Sequence, residues 1–167
     1  MGSSSSPVNP PMLDLADFIR AQALDAEMVA PGVPMPTVDA AAAALHVPPE
    51  RIFKSILFVS RDGQCVMGVA CGKTRVDANR LAALTGTEPL RLASPEVALR
   101  VTGYPAGGTP PIGHRERFPV VVDTRVAAQE WGWAGGGRKE LMVRIRSADI
   151  VRVTGAQVGD IVEGGLG

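Results

Sequence analysis

Apolar and polar positions alternate with two different periods along this chain, and the change of period marks its elements. Asp14 is a good N-cap, and Leu15, Phe18, Ile19 and Ala23 follow it at helical spacing, which predicts a first helix. The stretch Ala30 to Pro36 (APGVPMP) cannot stay helical, because its three prolines remove backbone donors. Thr37 then caps a second helix through AAAALH, which Pro48-Pro49 stops. Ile52 to Val59 (IFKSILFV) reads as a strand from its β-branched and aromatic residues, Asp62-Gly63 as a hairpin turn, and Gln64 to Ala70 as the returning strand. Asp77 opens a short helix that ends at Gly86. Ser94-Pro95-Glu96 opens another, with proline at its first position, that ends at Gly103. Pro119 to Asp123 is a buried strand, Thr124 to Trp131 a short helix, Glu140 to Arg146 a strand with clean alternation, and Ser147 the cap of a last helix.

Helices and strands mix without a regular strand–helix–strand rhythm. The expected class is therefore α+β, a single domain with a mainly antiparallel mixed sheet, curved or barrel-like, surrounded by short helices. Residues 1–11 (MGSSSSPVNPP) read as a disordered leader, 12–162 as the domain, and the Gly-rich segment after Asp160, 163–167 above all, as a frayed tail.

Composition narrows the classes. A chain of 167 residues with 46% hydrophobic content is one domain with a real core, which Val, Leu, Ile, Ala and Met must fill, since aromatics make up only 4%. Lys+Arg and Asp+Glu balance at 17 each, whereas a protein tracking long nucleic acid carries a basic excess. Any nucleic-acid contact is thus expected to be local, at one end of a strand, with no role on DNA. No run of about 18 apolar residues exists to span a membrane, and the N-terminus lacks a secretion signal, so the expected location is cytoplasmic. Cys65 and Cys71 fit neither a zinc pattern nor a disulfide framework. His46 and His114 stand in no metal-ligand spacing, and no metal or cofactor is expected.

Three features could carry chemistry. Lys54 sits inside an apolar strand, sharing a face with Ile52, Ile56 and Phe58. Either an anion or acceptors meet this cation, or it snorkels at a sheet edge. The loop Gly103 to His114 (GYPAGGTPPIGH) couples the freedom of Gly107-Gly108 to the rigidity of Pro110-Pro111. It can offer bare amides to a carbonyl or phosphate oxygen, or be a structural turn. Gly135 to Lys139 (GGGRK) could touch a phosphate or be a hairpin loop. The residues show no convincing nucleophile, metal site or carboxylate pair, so an enzyme built from them works by positioning and backbone polarisation.

Five collinear pieces add to this. VPPERIFKSILF, CGKTRVDANRLAALTG, RLASPEVALRVTGYPAGGTPPIGH with FPVVVDT, GGGRKELMVRI and ADIVRVTGAQVGDIV resemble, in order and separation, the YbaK/prolyl-tRNA synthetase-associated domain family. The resemblance covers roughly Leu13 to Asp160. It implies a trans-acting hydrolase that cleaves the ester of a mischarged aminoacyl-tRNA, with the tRNA acceptor 3′ end and an aminoacyl-tRNA synthetase as partners. The family lysine falls on Lys54, which holds the substrate's phosphate or amino end. The family's GxxxP loop falls on Gly107 to Pro111, and a small hydroxyl residue on Ser55. The resemblance implies Lys54, Gly107 and Gly108 as catalytic positions. It places Met35, Thr37, Ser55, Thr109, Pro111, Gly136, Gly137, Arg138 and Met142 against the substrate. Several members are thought to use the free ribose hydroxyl of the tRNA, in keeping with the missing protein nucleophile. Members specific for cysteine carry an acidic residue at the place of Met142, and Tyr and His in the segment that reads MVAPGVPMP here; a Ser is common at the place of Pro110. An apolar pocket lined by Met28, Met35 and Met142 suits a small apolar side chain such as Ala, and the expected substrate is a small amino acid of the Ala, Ser, Thr or Cys class. Two other readings stand beside hydrolysis: a module that binds aminoacyl-tRNA or a synthetase without cleaving anything, and a small-molecule binder.

Overall fold

A computed structural model describes residues 11–164; the leader expected over residues 1–11 lies almost wholly outside them. Local capping chemistry sets the helix starts. α1 (Leu15–Ala21) begins where the Asp14 carboxylate accepts the Ala16 N–H. α2 (Val38–Leu45) begins where Thr37 Oγ1 accepts the Ala40 N–H, and α3 (Ala78–Thr85) where Asp77 accepts those of Asn79 and Arg80. α4 (Pro95–Thr102) carries Ser94 as its cap and stops at Gly103, whose φ of +87° suits glycine.

The strands form two sheets, and neither closes into a barrel. β2 (Phe53–Ser60) and β3 (Cys65–Cys71) make the expected hairpin. They lie in a five-stranded sheet of order β4-β2-β3-β5-β8, with β4 at Leu90–Leu92, β5 at Val120–Asp123 and β8 at Gln157–Gly159. β5 pairs in parallel with both β3 and β8, and the other two pairs are antiparallel. The second sheet is antiparallel, β1-β7-β6, with β1 at Glu27–Val29, β6 at Trp131–Gly135 and β7 at Met142–Arg146. The α+β class with mainly antiparallel strands is thus confirmed.

Between the two sheets lies the main core. Phe53, Leu57, Met67, Val69 and Val122 from the large sheet meet Ala134, Val143 and Ile145 from the small one, closed by Leu15, Val101, Tyr104 and Ile150. The opposite face of the large sheet buries Phe58, Val66 and Val121 under Leu81 of α3. A third cluster seats α2, through Ala41 and Ala42, on Ile52, Met35 and Met142.

Three expectations are corrected. The helix from Thr124 ends at Ala127 (α5), and Trp131 instead begins β6. Gly132 makes that possible: a Cβ there would lie 2.1 Å from the Phe53 ring, so only glycine lets β6 settle on the core. Ser147 is the first residue of α6 (Ser147–Thr154), not its cap, and its hydroxyl donates to the Gln129 carbonyl. The chain after Asp160 is not frayed at its start: Ile161 and Val162 are buried, and the Glu163 N–H donates to Arg75 O at 2.8 Å. β1, β4 and β8, three residues each, were too short to show alternation.

Candidate functional site

The site grows out of a shortfall in strand pairing. β4 covers β2 only at Phe58–Ser60, and β6 (Trp131–Gly135) meets the same edge only at the Ile52–Trp133 bridge, so along Lys54–Ile56 that edge of β2 pairs with no strand among the described residues. The register with β3 makes Ile52, Lys54, Ile56 and Phe58 the residues whose backbone groups face β3. The N–H and C=O of Ser55 therefore point to the open edge. There a cavity of about 180 Å³ forms, lined by Lys54, Ser55, Met35, Thr37, Gly107, Thr109 and Met142. Pro36, Val38, Ala41, Ile52, Phe53, Ile56 and Gly135 complete it.

Lys54 is half-buried and shares its face with Ile56 and Phe58; its Nζ donates to the Thr74 carbonyl. Burial lowers its pKa from the ordinary lysine value, the Cys71 thiol partly opposing this and the Arg75 cation adding to it. Of the two readings of this cation, the structure shows one held by an acceptor and turned to a cavity. The Ser55 hydroxyl is buried and has no hydrogen-bond partner among the described residues. Among the lining side chains Lys54 is the one ionisable group; no carboxylate, thiol or imidazole joins it.

The glycine-rich loop shares this cavity with Lys54 and is held by backbone on backbone. The Gly108 N–H donates to Pro105 O at 3.0 Å, and its carbonyl accepts the Gly137 N–H at 2.8 Å. A Cβ on Gly108 would lie 2.9 Å from the Arg138 carbonyl carbon, and one on Gly135 would lie 2.6 Å from Thr109 O. The two glycine-rich segments therefore interlock and leave no room for side chains. Gly107 takes φ +88°, and the N–H groups of Gly107 and Thr109 have no acceptor among the described residues. Behind the loop, His114 Nε2 donates to Pro110 O at 2.8 Å, with the ring tilted 34° against Phe118. Burial pushes His114 down to about 4, so it is a neutral clamp on the loop.

Lys54, Gly107, Met35, Thr37, Ser55, Thr109 and Met142 thus come together in one cavity. Gly108, Gly136, Gly137, Arg138 and Pro111 do not line it. Gly108 has both backbone groups engaged within the protein, and Gly136 and Gly137 are buried against Leu141 and Tyr104. Arg138 is exposed, and Pro111 is buried. Met28 packs into the main core instead of the cavity, because it faces inward where its neighbour Val29 pairs with Met142. Val38 and Ala41 escaped sequence reasoning, since nothing local distinguishes a wall residue from any other, while Gly135, a candidate for a phosphate contact, lines the cavity wall.

A second, wider cavity of about 650 Å³ adjoins the first, sharing Met35, Pro36 and Gly107, with Gly32, Val33, Lys139 and Glu140 around it. Cys71 is buried and does not pair with His114, whose ring is held by Pro110.

Comparison with known proteins decides the family. The model of the aminoacyl-tRNA editing domain matches residues 33–153, a span that contains every residue of the small cavity. The chain belongs to the aminoacyl-tRNA editing domain family. The editing domain is 34% identical over 119 residues to a proline–tRNA ligase of Nitratidesulfovibrio vulgaris, covering 71% of this chain and 20% of that one. It therefore spans about a fifth of the length of that relative. It is 23% identical over 125 residues to a protein of Enterococcus faecalis assigned as a Cys-tRNA(Pro)/Cys-tRNA(Cys) deacylase, covering 75% and 76% of the two chains. Among solved structures, one described as a trans-editing enzyme for prolyl-tRNA synthetase superposes with a TM-score of 0.82. It shares 30% identity and is covered to 95%, against 90% of the editing domain. No helix among the described residues is long and apolar enough to cross a membrane.

Proposed function

We propose that this protein is a trans-acting deacylase that hydrolyses the ester joining a small amino acid to the 3′ end of a mischarged tRNA, in the cytoplasm. The observation that carries the reading is that Lys54, Gly107 and Thr109 line one small cavity, which adjoins a wider one. A volume of about 180 Å³ falls below the range of roughly 300–1,000 Å³ that holds drug-sized ligands, while 650 Å³ falls within it. The inner space thus suits an aminoacyl group and the outer one a terminal nucleoside.

In this reading Lys54 meets the substrate's phosphate or amino group. The unengaged N–H groups of Gly107 and Thr109 face the oxyanion that develops on the ester carbonyl. Water adds to the carbonyl carbon, the bond to the ribose oxygen breaks, and the proton lost by the water ends on that ribose oxygen. No side chain of the inner wall serves as base, so the rate derives from positioning and from amides already aimed at the developing charge. The catalytic role expected for Gly108 becomes a supporting one, because its N–H already serves Pro105. Met35, Met142, Val38 and Ile52 make the wall apolar, and the unpaired Ser55 hydroxyl offers one polar contact to the bound amino acid. The choice among Ala, Ser, Thr and Cys rests on differences worth only about 1–3 kcal/mol per methylene in such a pocket.

The test is release of labelled amino acid from Ala-, Ser-, Thr- and Cys-tRNA by the wild type and by Lys54→Ala. The variant is expected to fold normally and to lose roughly 100-fold or more in kcat/KM, the scale for removing one stabilising donor. A Lys54→Ala protein that keeps the full rate refutes the role given to this lysine.

A further inference from the structure

Both tryptophans of the chain, Trp131 and Trp133, lie on one face of β6. The antiparallel register with β7 sets Arg146 opposite Trp131 and Arg144 opposite Trp133. The Arg144 guanidinium lies 4.0 Å from the centre of the Trp131 ring and 5.9 Å from that of Trp133, and Arg146 lies 4.7 Å from Trp131. Arg51 reaches the same place and donates to the Trp131 carbonyl at 3.0 Å. Carboxylates are near as well: Asp25 and Glu130 pair with Arg146 at 3.5 and 3.8 Å, and Glu27 stands opposite Arg144 across β1. Arg144 and Arg51 form no ion pair among the described residues. Cation–π contact thus keeps Arg144 flat and in place without neutralising it.

Position gives this ladder its meaning. Alternate residues share a face, so the next pair along it is Gly135 and Met142, which are register partners and line the inner cavity. Each step of two residues is about 6.5 Å, so the ladder leads outward from the cavity along the sheet, with Trp133 also packed against the cluster under α2.

We propose that this Trp–Arg face holds the unpaired 3′ segment of the tRNA as it enters the site. The inference rests on the deacylase reading only in taking RNA as the partner. Indole and guanidinium planes stack on any base, and guanidinium edges donate to phosphate oxygens, so such a face grips RNA without reading its sequence. It also explains how a chain with equal numbers of cationic and anionic residues, 17 each, can bind RNA: the contact is a short stacked track, not a basic surface.

The chain's own fluorescence reports on the track directly, because both of its tryptophans lie in it. The probe is an uncharged RNA hairpin with an unpaired 3′ end, compared with a blunt-ended version. The expected result is saturable quenching by the first and far less by the second. Trp131→Ala, read through Trp133, and Arg144→Gln, read through both indoles, are each expected to weaken binding by roughly tenfold while circular dichroism stays unchanged. RNA binding with no change in tryptophan emission overturns the proposal, as does wild-type affinity in Arg144→Gln. Quenching by prolyl-tRNA synthetase and not by RNA also overturns it, making the face a protein interface. Because the probe carries no ester, quenching without amino acid release from any charged tRNA sinks the deacylase reading and leaves this one standing. Release without quenching does the reverse.

Discussion

Gly135→Ala tests how the two glycine-rich segments build the site. A Cβ on Gly135 would lie 2.6 Å from Thr109 O, 2.8 Å from the Gly108 carbonyl carbon and 2.9 Å from Gly108 O, all of them backbone atoms. Relief to ordinary contact at 3.4 Å requires the Gly108–Thr109 segment to retreat by about 0.8 Å. That segment is not free to do so cheaply: Gly137 N–H, Pro105 O and, through Pro110, the His114 ring all hold it. Overpacking of this kind costs roughly 1–3 kcal/mol. In a chain of this size each kcal/mol lowers Tm by about 2–4 °C, so the expected loss is roughly 2–12 °C. The effect on catalysis is larger in proportion, because a displacement near 1 Å of positioning groups can cost about 100-fold. The assay is a thermal melt together with kcat and KM for deacylation well below the melting point. Expected is a fall mainly in kcat, since the Thr109 amide faces the developing oxyanion more than the bound ground state. A Gly135→Ala protein with the wild-type melt and rate refutes the claim that loop interlock positions Thr109.

Two further predictions concern stability. His114 has a pKa of about 4 in the fold against an ordinary 6.5, so the fold binds fewer protons than the unfolded chain between those values. Stability is full above pH 6.5 and falls as pH drops toward 4, by at most about 3 kcal/mol, the ring keeping some contact with an adjoining cavity. Denaturant midpoints at pH 7 and pH 4.5 should differ in the wild type and much less in His114→Gln; equal slopes in the two proteins count against a neutral clamp. Asp123 is fully buried and accepts the N–H groups of Arg125 and Ile161 at 3.0 and 3.1 Å, capping α5 and tying down the chain before Val162. Asp123→Ala should therefore cost about 2–4 kcal/mol in urea unfolding, and a loss under half a kcal/mol would show these bonds to be replaceable by water.

Local chemistry made much of this fold readable in advance. Asp14, Thr37, Asp77 and Ser94 start their helices and Gly86 and Gly103 stop theirs because a cap acts within four residues of itself. The β2–β3 hairpin was legible for the same reason, its turn and its alternation lying side by side in the chain. Where the decisive partner is remote, the reading failed. Trp131 begins a strand because Gly132 fits the ring of Phe53, and Ser147 is drawn to the Gln129 carbonyl; neither fact has a local sign.

The site divides along the same line. The sequence by itself determined which residue types were out of place, a lysine in an apolar strand and glycines beside prolines, since burial cost and backbone freedom are properties of the residues. Tertiary structure alone decided which of them meet. Lys54, Gly107 and Met142 share a cavity because β4 stops short of β2 and β7 carries Met142 to the same edge, whereas Gly108, Gly136 and Gly137 became packing. A cavity is a gap between elements far apart in the chain, so its walls are set by register and packing, which no single stretch of sequence encodes.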